Sequence, residues 1–155
     1  MEQTIKDVIC NLSPRIRLFH TMTDEEFGLV CPYFDLLSFP AGTYIFQEGE
    51  FGDWMGIIIS GKLEVQKSTT FPGKHLIMAY MSKGSVIGEM AVIEEQHRSS
   101  SVYTMENTEL LILKKDQLEE IIRSHPAIGA KLLKEIAWIL SRRLRQLGER
   151  VKVIV

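Results

Sequence analysis

The 155-residue sequence has no long hydrophobic run. Its apolar stretches, such as residues 55–59 and 110–113, are far shorter than the roughly 20 residues that cross a bilayer. The first residues include acidic side chains, where a secretory signal would carry a basic segment followed by an apolar one. We therefore expect a cytoplasmic protein without a membrane span.

Cysteine and histidine are also scarce. The two cysteines, Cys10 and Cys31, lack CxxC spacing, and both lie among apolar residues, where a thiol usually packs as a small hydrophobe. The four histidines are scattered, with no HxH or HExxH pair to hold a transition metal. We expect no disulfide, no metal site and no cofactor.

The composition itself is that of an ordinary globular protein, with 45% apolar and 25% charged residues, but the charge is unevenly placed. Residues 126–155 contain seven bases and two acids, giving +5, whereas residues 1–125 carry −7. A chain of this length is large enough for one hydrophobic core and small for two. We therefore predict one domain, residues 1–125, followed by an appendage, residues 126–155.

Local patterns predict a β-rich domain between helices. Thr23 followed by three acids is typical of a helix N-terminus, and another short helix is expected over residues 5–12. Residues 34–113 consist of short β-branched runs broken by glycines, which indicates about seven or eight short strands. That many strands in one open sheet would leave exposed edges. The predicted fold class is mainly β with flanking helices: a double-stranded, jelly-roll-like β-roll with N-terminal helices and a long C-terminal helix.

The C-terminal segment has helical periodicity. Residues 115–123 predict one helix, and Pro126 suits the first turn of a second, longer one. A heptad pattern in the longer helix gives a narrow apolar seam, typical of helices that pair between chains. The seam consists of Leu133, Ala137, Leu140, Leu144, Leu147 and Val151. A second stripe consists of Ile128, Leu132, Ile136 and Ile139. Because the second stripe is available for packing within the chain, we predict a parallel homodimer through residues 130–151; the alternative is an amphipathic helix on its own β-roll.

Residues 86–102 carry the clearest signal for a binding site. A strand end and a glycine lead into a short helical stretch at Glu89, so the N–H groups of Met90 and Ala91 are predicted to lack intrahelical acceptors. Arg98 follows nine residues after Glu89, and its guanidinium can fork onto the same anion. A carboxylate beside an anion is compatible with this if Glu89 accepts a hydrogen bond from a sugar hydroxyl. The segment therefore suggests a nucleotide site; the alternative is a partly buried Glu89–Arg98 ion pair.

This segment resembles the phosphate-binding cassette of cyclic-nucleotide-binding domains. The matching cassette residues are Gly88, Glu89, Met90, Ala91, Arg98, Ser99 and Val102. A second signature of the family is carried upstream by Pro40, Gly42, Gly49, Gly52, Asp53 and Gly61. The two motifs lie in register, and the resemblance covers about residues 20–125. Gly49, Gly52 and Gly61 suit turns that need a positive φ, and Gly88 allows close approach of the backbone to a ligand.

The resemblance implies a ligand and a set of contacts. In the family the acid of the Gly-Glu pair holds the ribose 2′-hydroxyl and the cassette arginine neutralises the cyclic phosphate, which assigns those roles to Glu89 and Arg98. The implied ligand-binding residues are Gly88, Glu89, Met90, Ala91, Arg98, Ser99 and Ser100. A hydroxyl after the arginine occurs with either purine, so Ser99 leaves the choice between cAMP and cGMP open.

Residues 126–151 are similar to the dimerisation helix of the catabolite-activator class of bacterial regulators. In the activator a Thr-Ser pair on this helix reaches the adenine, and here Leu147 and Gly148 hold that position. Regulators of this class continue into a helix-turn-helix domain, whereas this chain ends at Val155. We expect no sequence-specific DNA binding by this chain alone, and we interpret its C-terminal arginines as a solvated basic face.

The leading hypothesis is a non-catalytic module that senses a cyclic nucleotide and signals through its C-terminal helix. One alternative is a ligand-free dimerising scaffold of the same fold, in which Glu89 pairs with Arg98; another is the sensor half of a transcription regulator. A β-roll enzyme is disfavoured, because no nucleophile with a base, no paired general acids and no metal triad can be assembled from the sequence.

Overall fold

The N-terminal part of the chain is helical. The computed structural model describes residues 6–8, 10–11, 16–94 and 97–154. Residues 152–154 are described by their backbone alone. Residues 6–8 and 10–11 are helical; the rest of the helix predicted over residues 5–12 lies outside the described residues. Short 3-10 helices at Arg17–Phe19 and Cys31–Tyr33 flank helix α1, Asp24–Val30.

Helix α1 begins where the sequence predicts. The Thr23 hydroxyl accepts a hydrogen bond from the Glu26 backbone N–H at 3.2 Å, and the Glu26 carboxylate accepts one from the Thr23 N–H at 3.0 Å. These reciprocal bonds satisfy two N–H groups that the first helical turn leaves without partners.

The described residues form eight strands in two four-stranded antiparallel sheets. The strands are β1 (Phe34–Phe39), β2 (Tyr44–Phe46), β3 (Trp54–Ser60), β4 (Lys62–Ser68), β5 (His75–Ser82), β6 (Val86–Ile87), β7 (Ser101–Thr104) and β8 (Thr108–Lys114). The first sheet has the order β1-β8-β3-β6 and the second has the order β2-β7-β4-β5. The predicted double-stranded β-roll is confirmed.

The two apolar runs noted in the sequence form the central strands β3 and β8. Ile57 and Leu111 point toward the helices and pack in the larger hydrophobic cluster. Ile58 and Leu110 point toward the second sheet and pack in the smaller cluster. Because both faces of the first sheet are covered, its central strands are apolar at nearly every position and do not alternate.

Three helices complete the domain: α2 (Met90–Ile93), α3 (Lys115–Ser124) and α4 (Pro126–Ile154). Helix α4 buries Ile128, Leu132 and Ile136 in the core, and Ile139 is partly buried against it. The stripe predicted to pack within the chain is therefore confirmed. No helix among the described residues is long and apolar enough to cross a membrane.

The heptad seam has two different environments. Leu133 and Leu140 are partly buried against the chain's own core. Leu144, Leu147 and Val151 are 70%, 49% and 51% exposed, so the second half of the seam is unpaired within this chain.

Helix α4 is tied to the N-terminal segment by charged groups. Glu135 is buried and accepts a hydrogen bond from Arg17 at 2.7 Å. The Arg17 guanidinium also stacks on Trp138, 4.0 Å from the ring centroid. Lys131 forms an ion pair with Glu26 at 2.7 Å. These contacts fix the first half of α4 and thereby set the direction in which its second half runs.

The cysteine prediction is correct for one of the two residues. Cys31 is buried in the core. Cys10, which was expected to pack in the same way, is exposed.

Candidate functional site

A cavity of about 430 Å³ lies between the second sheet, α2 and the second half of α4. Every residue that the sequence predicted for the site borders this cavity. They are Gly88, Glu89, Met90, Ala91, Arg98, Ser99 and Ser100. The fold thus brings two segments, residues 88–91 and 98–100, to one place.

Arg98 is held on both sides by backbone hydrogen bonds. Its N–H donates to the Glu50 carbonyl at 2.6 Å, and its own carbonyl accepts from the Gly49 N–H at 2.9 Å. The preceding residue, His97, forms a β-bridge with Phe51. The loop between β2 and β3 therefore fixes the backbone from which the guanidinium projects.

Two glycines make room for the Arg98 side chain. A Cβ at Gly52 would lie 2.4 Å from Nε of Arg98, and a Cβ at Gly88 would lie 2.4 Å from Nη1. Gly88 and Gly49 also have a positive φ, of 68° and 89°. Gly52 was predicted to need a positive φ, and this is wrong; it is the close approach of Arg98 that requires glycine at this position.

The Arg98 guanidinium is buried and only partly satisfied. The residue is 5% exposed, and its Nε and Nη2 have no hydrogen-bond partner within the described part of the chain. Nη1 donates weakly to the Gly88 carbonyl at 3.4 Å. Unpartnered buried N–H groups carry a desolvation penalty of about 1–3 kcal/mol each, and more for charged groups. An anion in the cavity would supply the missing acceptors.

Aromatic rings and carboxylates near Arg98 affect the stability of its charged form. Its Cζ lies 4.0 Å from the Phe46 ring centroid and 4.7 Å from that of Trp54, so the cation contacts two aromatic rings that pack edge to face on each other. Burial lowers the pKa of Arg98, and the negative charges of Asp53, Glu50 and Glu89 act against that effect. A bound phosphate would stabilise the cation further.

Glu89 immediately precedes α2 and is also buried, at 5% exposure. It forms an ion pair with Arg143 of α4, and Arg143 also donates to the Val86 carbonyl. The Glu89–Arg98 ion pair considered as an alternative is therefore replaced, among the described residues, by a pair with Arg143. The sequence analysis interpreted Arg143 as part of a solvated basic face, and this is wrong, because its guanidinium pairs with the buried Glu89.

The backbone at the start of α2 differs from expectation at one position. The Ala91 N–H donates to the Gly88 carbonyl at 3.1 Å, so it is not left without an acceptor as predicted. The bend at Gly88 provides that acceptor. Any contact of the Ala91 N–H with a ligand would have to share this bond.

Ser99 and Ser100 complete the side of the cavity next to Arg98. The Ser99 hydroxyl contacts the Met90 sulfur at 3.8 Å, and its carbonyl accepts from Lys67 at 2.6 Å. Ser99 is exposed and Ser100 is half-buried, and both border the cavity. No cluster of three metal-ligating side chains occurs among the described residues.

On the opposite side of the cavity, the family resemblance indicated only Leu147, and the other lining residues were missed. Helix α4 contributes four cavity-lining residues: Arg143, Gln146, Leu147 and Arg150. Strand β5 contributes Met78, Ala79 and Met81. The spacing of the four helical residues, over two turns, places them on one face, and this was the available signal. That spacing is equally typical of a solvated basic stripe.

The sequence matches a known family over more than half of its length. A profile described as "Cyclic nucleotide-binding domain" matches residues 36–125. The cyclic AMP receptor protein of Thermus thermophilus is 34% identical over 129 residues, which is 83% of this chain and 57% of that protein. The chain therefore spans little more than half of that relative's length.

Solved structures resemble the whole described fold. A cyclic nucleotide-binding domain from Methylobacillus flagellatus superposes with a TM-score of 0.87 at 26% identity, covering 98% of this chain and 85% of that one. The Thermus thermophilus catabolite activator protein superposes with a TM-score of 0.78 at 30% identity, covering 89% of this chain and 62% of that one. The similarity includes α4 as well as the β-roll.

Proposed function

The chain belongs to the cyclic nucleotide-binding domain family, and on this basis we propose that it is a regulatory sensor that binds cAMP or cGMP in the cavity beside Arg98. The phosphate would accept hydrogen bonds from Arg98 and from the Ser99 and Ser100 side of the cavity. The ribose 2′-hydroxyl would donate to Glu89. The module would act by binding and not by catalysis.

The observation that carries this proposal is the unsatisfied guanidinium of Arg98. Nε and Nη2 are buried without partners in the described part of the chain, while two glycines and two aromatic rings hold the side chain at the cavity. A structural arginine would be expected to satisfy those donors within the protein. An arginine arranged to bind an anion keeps them available.

Occupancy of the cavity would be transmitted through Arg143. Its guanidinium contacts both Glu89 and the Val86 carbonyl, so a ribose hydroxyl that binds Glu89 acts on the residue that attaches α4 to the site. A ligand with different affinities for two positions of α4 shifts their populations. We assign sensing to residues 1–125 and output to the helix of residues 126–155.

The output would be read by a second copy of the chain. Leu144, Leu147 and Val151 form an exposed apolar row, and Leu147 also borders the cavity. A parallel homodimer through residues 130–151 would cover this row. Movement of α4 in one protomer would then change its contacts with α4 of the partner.

Isothermal titration calorimetry with cAMP and with cGMP tests the proposal. We expect saturable binding of at least one of them, and much weaker binding of the linear nucleotides 5′-AMP and 5′-GMP, whose phosphate has a different shape and charge. Flat traces for both cyclic nucleotides at millimolar concentration would reject the sensor and favour the dimerising scaffold.

A further inference from the structure

The base-binding end of the cavity is identified by elimination, and this identification rests on the function proposed above. Once Arg98 is assigned to phosphate and Glu89 to ribose, the part of the cavity lined by β4, β5 and α4 remains for the purine. Its apolar surface comes from Val65, Met78, Ala79, Met81 and Leu147. Such a surface suits the two faces of a purine ring and does not distinguish one base from another.

Helix α4 contributes polar side chains to the cavity lining. Arg143 is engaged with Glu89 and the Val86 carbonyl, and Leu147 has no polar atom. Gln146 and Arg150 remain as groups that can read the base edge. The base end therefore presents a charged donor and a neutral amide.

Arg150 is the better placed of these two groups. Its Nη1 donates to the Met78 carbonyl of β5 at 3.2 Å, which fixes the guanidinium beside the cavity and leaves several of its five N–H donors for a ligand. Arg150 also borders a neighbouring cavity of about 580 Å³ between β5 and α4. It is exposed at that opening and accessible to an entering nucleotide.

We propose that Arg150 is a specificity-determining residue that makes this cavity prefer cGMP to cAMP. Guanine presents two acceptors, O6 and N7, on one edge, and a guanidinium matches them with two parallel donors. Adenine presents an amino group in place of O6, and arginine has no acceptor for it. Gln146 also borders the cavity, and a glutamine amide can pair with adenine N6 and N7. Because charge-assisted bonds are roughly twice as strong as neutral ones, we expect Arg150 to outweigh Gln146.

Calorimetric titration of the full chain with cGMP, cAMP and cyclic IMP tests this proposal. Cyclic IMP keeps O6 and N7 and lacks only the 2-amino group, so it reports on the acceptor edge alone. We expect cGMP and cyclic IMP to bind about 10-fold more tightly than cAMP, the discrimination of one bidentate contact. Arg150→Gln should remove that difference and leave cAMP affinity within about 2-fold, a change well below the worth of one hydrogen bond.

The matched control is Arg145→Gln, which removes the same charge from an exposed position on the same helix that does not border the cavity. It should leave the ratio of affinities unchanged. Binding of cAMP equal to or tighter than that of cGMP, or an equal loss for both ligands in Arg150→Gln, overturns the role of Arg150 while leaving the sensor intact. Failure of the wild-type chain to bind any of the three overturns the sensor and this inference with it.

Discussion

The two walls of the cavity are built differently. The roll wall, formed by residues 88–91 and 98–100, holds Arg98, whose backbone is hydrogen-bonded on both sides. This residue is 5% exposed, and its guanidinium contacts two aromatic rings. The helix wall, formed by Arg143, Gln146, Leu147 and Arg150, belongs to a helical segment in which the adjacent Leu144 is 70% exposed. The roll wall is therefore preorganised, and the helix wall is held by a few side-chain contacts.

This difference assigns different tasks to the walls. A rigid, buried cation suits tight recognition of a group common to all ligands, because little ordering entropy is lost on binding. A segment with few buried contacts is the part of a protein that moves most easily. We expect the phosphate to be bound by the roll and the response to occur in the helix.

The largest effect is expected from disrupting the exposed apolar seam of α4. Replacing Leu144 and Val151 together with Glu places charge in the seam of both protomers and removes burial of about 1.5–3 kcal/mol per apolar side chain. Light scattering should show a dimer for the wild type and a monomer for the variant. Leu144 and Val151 are exposed within the chain, so nucleotide binding by the monomer should persist.

The control for the seam variant is Arg142→Gln with Arg145→Gln, which lowers the net charge by the same two units at exposed positions off the seam. This control should remain dimeric. A monomeric wild type at high micromolar concentration would contradict the seam and leave α4 as a helix that packs only on its own β-roll.

The next largest effect concerns the roll wall. Arg98→Ala should weaken nucleotide binding by about 1.5–3 kcal/mol or more, the range for a hydrogen bond to a charged group. The melting temperature without nucleotide should change little, since Nε and Nη2 make no hydrogen bonds within the described chain. Arg123→Ala, at an arginine whose side chain is 72% exposed, serves as the control. Unchanged affinity with a strongly destabilised fold would make Arg98 structural.

A smaller effect is expected at the junction of the two walls. Glu89→Gln keeps the shape of the side chain but loses its charge, which should reduce affinity for a cyclic nucleotide by about 1 kcal/mol. The corresponding 2′-deoxy nucleotide has no hydroxyl to donate, so its affinity should change much less in the same titration. Equal losses for the two ligands would reject the ribose contact.

The smallest effect concerns the attachment of α4 to α1. Lys131 lowers the pKa of Glu26 below its ordinary value of 4.5, chiefly by its hydrogen bond to that carboxylate. A lowered folded-state pKa adds stability above the ordinary value, and this stability is lost as the pH falls through the lowered one. Lys131→Met should therefore reduce the free energy of unfolding by less than about 1 kcal/mol at pH 7, and by less still near pH 3.

Urea unfolding at the two pH values measures this difference. Lys134→Met, at an exposed position on the same helix, should show no comparable pH dependence. A Lys131→Met effect of the same size at both pH values would contradict the assigned ion pair.

The sequence predicted the roll wall but indicated only Leu147 of the helix wall, and the difference has a physical reason. The strand end, Gly88, Glu89 and Arg98 lie within one segment, residues 87–98, so a local motif identifies them together. Arg143 contacts Glu89 across 54 residues, and only the packing of α4 on the roll decides that contact. The periodicity of α4 predicted which residues face the core, but it did not distinguish cavity-lining arginines from solvated ones. The role of Gly52 was misread because the approach of Arg98 is also a long-range contact.

The central claim is that the buried guanidinium of Arg98 binds the phosphate of a cyclic nucleotide. A crystal structure of the chain with bound cyclic nucleotide tests it most directly. We predict phosphate oxygens about 2.7–2.9 Å from Nε and Nη2 of Arg98, the usual length of a charge-assisted hydrogen bond, with the ribose at Glu89. A nucleotide bound elsewhere, or Nε and Nη2 bonded to protein groups beside an occupied cavity, would contradict the account.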